Sequence, residues 1–156
     1  MINIIKVDDS NIHVLYNLAQ GYEAEFSNLT KEMPDQDGKF KIHQYPVNQY
    51  VLYLCYKDAN PIGFAIIDLA SNPACDIYEF YVVPAVRKQN IGKNFAFYLF
   101  DTYKGIWQIR QIDGAEGSTS FWRKVINEYT NGNYKEEIVQ DPRWNCIIKQ
   151  TFVSRV

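Results

Sequence analysis

The chain has 156 residues, 47% hydrophobic and 22% charged, with 16 Lys and Arg against 18 Asp and Glu for a formal net charge of -2. That profile fits one globular domain over residues 1–156 and excludes a disordered, collagen-like or low-complexity chain. It supplies no basic field for nucleic acid, no apolar run near the roughly 18–20 residues of a membrane span, and in MINIIKVDDS no secretory signal, so a cytoplasmic protein without nucleic-acid or membrane partners is expected.

Ile2 to Val7 alternates apolar and polar residues and predicts a strand. Asp8, Asp9 and Ser10 offer helix caps, and Ile12, Val14, Leu15, Leu18 and Ala19 recur at helical spacing. A second, weaker helical stretch covers Tyr22 to Leu29, and the polar run from Lys31 to Lys39, with Pro34 and Gly38, reads as a loop. Tyr50 to Tyr56 and Ile62 to Leu69 predict an antiparallel hairpin about a turn at Asp58 to Pro61. A turn at Ser71 to Pro73 leads into a third strand, Cys75 to Val83.

Pro84 to Asn90 predicts a loop, and Ile91 to Tyr103 a helix stopped by Gly105. Its run FAFYLF is apolar nearly all round, which implies burial against a sheet. Ile106 to Ile112 predicts a strand closed by Asp113-Gly114. Ser118 to Tyr129 predicts a helix with Phe121, Trp122, Val125, Ile126 and Tyr129 on one side. After a turn at Asn131-Gly132, Glu137 to Val139 and Trp144 to Val153 complete a strand pair. The order gives an α/β to α+β class, with a mostly antiparallel sheet and helices on its faces.

Composition narrows the chemistry. Three separated cysteines, Cys55, Cys75 and Cys146, give no disulfide framework and no CxxC, and Cys55 and Cys146 sit in apolar runs as expected buried thiols. Two histidines, His13 and His43, exclude a His-rich metal site, and no metal is expected. Aromatic residues at 15% build either a ring-rich core or a groove suited to a long ligand.

One segment concentrates functional signal. The strand ending Tyr78-Glu-Phe-Tyr-Val-Val83 runs into a loop that opens a helix, with Arg87, Lys88 and Lys93 and no acid between Ala85 and Asn94. Amide N–H groups at a helix start, reinforced by its dipole, bind phosphate, and basic side chains add charge. Asn90 and Gly92 tolerate a left-handed backbone that lets successive N–H groups converge on an anion. The competing reading is an ordinary basic loop. GxGxxG and GxxxxGK[ST] are both absent, which argues against a Rossmann dinucleotide fold and a P-loop NTPase.

The segment resembles motif A of the GNAT acetyltransferase superfamily. Val82-x-Pro84 precedes Arg87-x-x-Asn90-x-Gly92, with Asn90 in place of the first motif glycine and Asn94 where small residues are usual nearby. Downstream, Ala115-Glu-Gly-Ser118-Thr-Ser-Phe121-Trp122-Arg-Lys is similar in spacing to a second family pattern, with Ala115 at its usual Asn and Trp122 where many members carry Tyr. The FWRKVI segment looks like a bacterial branch, and the resemblance covers about residues 45–130.

The resemblance implies a GNAT-like fold, with acetyl-CoA as cofactor and its pyrophosphate on amides of Arg87, Lys88, Gln89, Asn90, Ile91, Gly92 and Lys93. The pantetheine arm would lie beside Phe80, Tyr81, Val82 and Val83, with an N–H near Val82 facing the thioester oxygen. Phe121 and Trp122 would pack along the cofactor or serve as core anchors of their helix. The implied reaction is direct acetyl transfer to the amine of a small molecule or peptide. A Lys-like amine, with an ordinary pKa of about 10.4, is mostly protonated at neutral pH and benefits from a general base. Glu79, on the strand face opposite Phe80, is the candidate base, and Ser118 a candidate proton donor in the absence of the usual Tyr. Tyr22, Glu23 and Glu25 are candidate acceptor-side residues, since an acidic rim attracts a cationic amine. The alternative is a non-catalytic acyl-CoA-binding or sensor module on the same fold. The apolar strand WNCIIKQTFV is a candidate for pairing across a homodimer interface.

Overall fold

The computed structural model describes every residue except 47 and 70–73, so the turn expected at Ser71 to Pro73 lies outside the described residues. Strands β1 (Ile2–Lys6), β2 (Tyr50–Lys57), β3 (Asn60–Asp68), β4 (Ala74–Val82), β5 (Ile106–Ile112), β6 (Lys135–Asp141) and β7 (Asn145–Val153) form one sheet in the order β1-β2-β3-β4-β5-β7-β6. Helices α1 (Ile12–Thr30), α2 (Ile91–Thr102) and α3 (Glu116–Thr130) flank it. Pairing is antiparallel for β1 with β2, β5 with β7 and β6 with β7, and parallel for β4 with β5. The parallel register runs from Ala74↔Ile106 to Asp76↔Gln108. The chain divides into two compact units, residues 1–67 with 79–92 and residues 68–78 with 93–156.

The first unit packs α1 onto β2 and β3. Val51 to Cys55 and Ile62 to Ile67 are buried residue after residue, which explains why both strands read as continuous apolar runs rather than alternating ones. Val7, Leu15, Ala19, Leu52, Leu54, Phe64, Ile66, Tyr45 and Tyr81 form its core. The two helical stretches expected over 12–29 are one helix. Leu15, Ala19, Tyr22 and Phe26 continue one apolar stripe through Gly21, and that packing outweighs the roughly 1 kcal/mol helix cost of glycine. Asp8 and Ser10 build the turn before α1 instead of capping it. The Asp8 carboxylate accepts the Ser10 N–H at 2.8 Å, and Asn11 occupies the N-cap with its Oδ1 turned back to the Asp8 N–H.

The second unit is organised around Phe100, whose ring lies 5.1 Å from Trp107, 5.0 Å from Tyr129 and 4.9 Å from Phe152. In the FAFYLF run, Phe95, Ala96, Leu99 and Phe100 are buried while Tyr98 is exposed. Gly105, at φ 132, ends the α2 turn and donates its N–H to Ser154 Oγ. The buried amides of Gln111 and Gln150 bond to each other at 2.7 and 3.0 Å, so neither desolvated side chain lacks a partner. Strand β7 is hydrogen-bonded on one side to β5 and on the other to β6, so it has no free edge for pairing across a subunit interface. The sheet edge on that side is β6. Cys55 is buried as expected, whereas Cys146 is half-buried near the β6–β7 turn. Among the described residues, no helix is long and apolar enough to cross a membrane.

Candidate functional site

The segment following β4 belongs to the first unit through Gly92. Val83 donates its N–H to the Ile62 carbonyl of β3 at 2.8 Å. Because N–H direction alternates along a strand, the Val82 N–H and carbonyl point to the other edge of β4. A 3-10 turn over Pro84–Val86 follows, started by Pro84, which removes an N–H and fixes φ. Val86 and Arg87 then donate their N–H groups to Val83 and Pro84 carbonyls.

Beyond this turn the backbone enters the left-handed region twice, at Lys88 (φ 66) and Asn90 (φ 62). Asn90 takes the role anticipated from its residue type. Gly92 does not, because it already lies in the first turn of α2, and Lys88 supplies the other left-handed position. Among the described residues, none accepts a hydrogen bond from the backbone N–H of Lys88 or Asn90, whereas the Gln89 N–H turns back to close the turn over Arg87 and Lys88. Two such donors, on a backbone that turns left-handed at Lys88 and Asn90 just before a helix start, are of the kind that bind anions. Lys57, at the end of β2, reaches the loop and bonds Gln89 Oε1 at 3.2 Å, adding a cation that loop composition did not reveal.

Arg87 points elsewhere. Its Nε donates to the Val82 carbonyl at 2.9 Å, and its two terminal nitrogens donate to the Glu25 carboxylate at 2.8 and 2.7 Å. The guanidinium also lies 5.7 Å from the Tyr81 ring centroid. Its hydrogen bonds hold Glu25 below the usual carboxylate range. Thus Glu25 and Arg87, assigned from sequence to acceptor and cofactor sides respectively, face each other.

Glu79 is half-buried on β4, and burial pushes its carboxyl up to about 7. The nearby Tyr45 hydroxyl opposes this, and the charge of Glu23 adds to it. Glu23 is itself raised, first by burial and then by Glu32, against His43. The structure therefore joins Glu79 to Glu23 electrostatically and adds Tyr45, which the sequence offered no means of finding. Tyr22 is half-buried, with its ring 5.7 Å from Phe64 and 5.8 Å from Tyr81. Close packing here depends on glycine. A Cβ at Gly21 would stand 2.9 Å from the Tyr81 hydroxyl, and one at Gly63 would overlap the Tyr81 carbonyl oxygen.

Of the remaining candidates, Phe80 is half-buried, Val82 and Ile91 are buried, and Lys88 and Gln89 are exposed. Lys93, Ser118, Phe121 and Trp122 belong to the second unit. Lys93 pairs with Glu128 at 3.1 Å, and Ser118 is exposed in the first turn of α3. Trp122 is 5% exposed and Phe121 half-buried against it at 4.9 Å, so Trp122 anchors α3 in that unit's core. An open cavity of about 680 Å³ beside α3 is lined by Asp113, Glu116, Ser120, Arg123, Lys124 and Asn127, but its Arg123 is bound to Glu136. Among the described residues, no cluster of three or more His, Cys, Asp or Glu is placed to hold a metal.

Comparison with known proteins gives the fold a context. No family model matches the chain, and no curated protein matches it in sequence. Solved structures do. A GNAT-family acetyltransferase from Staphylococcus aureus is 19% identical, covering 96% of this chain and 98% of its own with a TM-score of 0.66. A ribosomal-protein alanine N-acetyltransferase from Escherichia coli is 12% identical over 100% and 96%, with a TM-score of 0.65. An acetyltransferase from Bacillus subtilis, solved in complex with CoA, is 9% identical over 100% of both chains, with a TM-score of 0.60. The chain has the GNAT acetyltransferase fold.

Proposed function

We propose that this protein is an acetyl-CoA-dependent N-acetyltransferase acting on a primary amine of a small molecule or peptide. The observation that carries the reading is the loop of Lys88 to Asn90, in which, among the described residues, the amides of the two left-handed residues Lys88 and Asn90 have no acceptor at the start of α2. A diphosphate such as that of CoA suits free amides at a helix start. CoA bound there supplies an acetyl group activated as a thioester. The amides of Lys88 to Gly92 hold the diphosphate, Lys57 and Lys88 balance its charge, and the Val82 N–H is directed away from β3 as a donor for the acyl oxygen.

Glu79 accepts the proton that the acceptor's ammonium must lose before its neutral amine attacks the thioester carbonyl and displaces the thiolate. A carboxyl at about 7 is well matched to that task, being partly ionised at neutral pH yet far more basic than an exposed glutamate. Glu23, coupled to it, adds negative charge that favours a cationic acceptor. Ser118 remains the proposed proton donor to the departing thiolate. That thiolate, with an ordinary thiol pKa of about 8.5, leaves without strong acid assistance. The spermidine and ribosomal-protein acetyltransferases among the structural neighbours motivate polyamines and peptide N-termini as the first acceptors to try.

Trp122 favours a second reading, because a buried indole replaces the common Tyr and offers no acidic proton. Under that reading the protein binds acyl-CoA without turning it over. Calorimetric titration with acetyl-CoA, CoA and ATP, followed by thiol release across an amine panel, separates the two. Binding of both CoA species but not ATP, with amine-dependent thiol release, is the expected result. Binding without release across the panel leaves the sensor reading, and no CoA binding removes both.

A further inference from the structure

Resting on the acetyltransferase reading, we infer that Glu25 is a positioning residue for the cofactor loop, acting through Arg87, and that Arg87 serves the cofactor by fixing the loop rather than by touching phosphate. Three directed bonds define the arrangement. One guanidinium nitrogen closes the loop onto the end of β4 through the Val82 carbonyl at 2.9 Å. The other two tie it to α1 through both oxygens of Glu25 at 2.8 and 2.7 Å. The parallel fork of a bidentate pair fixes orientation as well as distance, which a single ion contact does not. Tyr81 completes the support, with its ring near the guanidinium and its hydroxyl against Gly21 on the same helix.

This arrangement decides between two roles for Arg87. Its charge is already matched by Glu25, and each of its three nitrogens holds an acceptor. Three of its five N–H groups are engaged, so a phosphate contact has only the two remaining N–H groups of a guanidinium whose charge Glu25 already offsets. Among the described residues, the backbone donors without an acceptor are instead the amides of Lys88 and Asn90, one and three residues further on. The clamp thus holds the segment that enters the first left-handed residue, while the backbone binds the ligand. The acceptor-side Glu23 lies two residues before Glu25 on α1, so one helix carries groups for both half-sites.

The test is a double-mutant cycle with Glu25→Ala, Arg87→Ala and the double variant, reading CoA affinity, acetyl-CoA KM, amine KM and kcat, with Glu25→Asp and the exchanged pair Glu25→Arg/Arg87→Glu as rescues. Each single variant is expected to weaken CoA binding and raise acetyl-CoA KM about tenfold, leaving amine KM and kcat within about twofold. The double variant is expected to be no worse than either single one, and Glu25→Asp to recover part of the loss. Two outcomes overturn the inference. If Arg87→Ala weakens CoA while Glu25→Ala leaves it unchanged or tightens it, the guanidinium contacts phosphate itself. If Glu25→Ala raises amine KM alone, Glu25 is an acceptor residue. Wild-type protein that binds no CoA refutes the acetyltransferase reading, a result visible before any variant is made.

Discussion

Glu79 ties activity to stability through a single proton. Its carboxyl, raised from 4.5 to about 7 by burial, binds a proton more tightly in the folded protein than in the unfolded chain. Between those two values the folded state carries more protons, so stability falls as pH rises and stays lower above about 7. The ionised form costs on the order of 3 kcal/mol at most, since one pKa unit corresponds to about 1.4 kcal/mol and the side chain keeps some contact with water. Glu79→Gln keeps the shape without the charge. Thermal melts are therefore expected to place it above wild type at pH 8 and level with it at pH 4. In kinetics, the wild-type acetyl-transfer profile rises through about pH 7, and Glu79→Gln loses that limb with a rate about 10²- to 10⁴-fold lower. A variant that melts higher but keeps its rate and pH profile makes Glu79 a buried charge without a catalytic role.

At the scale of elements, the approach of β3 to β4 is set by a missing side chain. Gly63 faces the Tyr81 carbonyl, a backbone atom that cannot rotate away. Gly63→Ala is expected to lower the urea midpoint by the equivalent of about 3 kcal/mol, toward the upper end of overpacking costs. A change under about 0.5 kcal/mol would show that the strands separate freely. Strands such as these were legible because local composition encoded them. The runs YVLYLCY and IGFAII are buried on both faces, and the reading of β5 ends at the observed residues, Ile106 and Ile112. Gly21 was harder to read, because glycine weakens a helix locally while the stripe that carries α1 through it is a tertiary effect. The loop was half legible. Asn90 advertises a left-handed backbone, but nothing about Lys88 does. The Glu25–Arg87 fork joins positions 62 apart, and Tyr45 lies in a segment without periodicity, so neither contact has a local signature.

For the whole molecule, the two compact units are interleaved along the chain, each built from two separate segments. The chain passes between them at Ile67–Asp68, at the end of β3, at Tyr78–Glu79, inside β4, and at Gly92–Lys93, inside α2. Neither can unfold without breaking a strand and a helix that the other also uses, so one cooperative transition is expected. The residues themselves supply two probes. Trp107, Trp122 and Trp144 all lie in the second unit, whereas α1, the longest helix, lies in the first. Tryptophan fluorescence and far-UV circular dichroism should therefore melt at the same midpoint. The cofactor sharpens the comparison, because the proposed diphosphate loop through Gly92 contains no tryptophan and belongs to the first unit. Acetyl-CoA at 100 times its dissociation constant adds about 2.7 kcal/mol, or about 5–10 °C for a chain of this size. If the units fold together, both probes shift by that amount. Two separate midpoints, with the fluorescence transition unmoved by acetyl-CoA, would instead establish a second unit that folds alone and does not sense the loop.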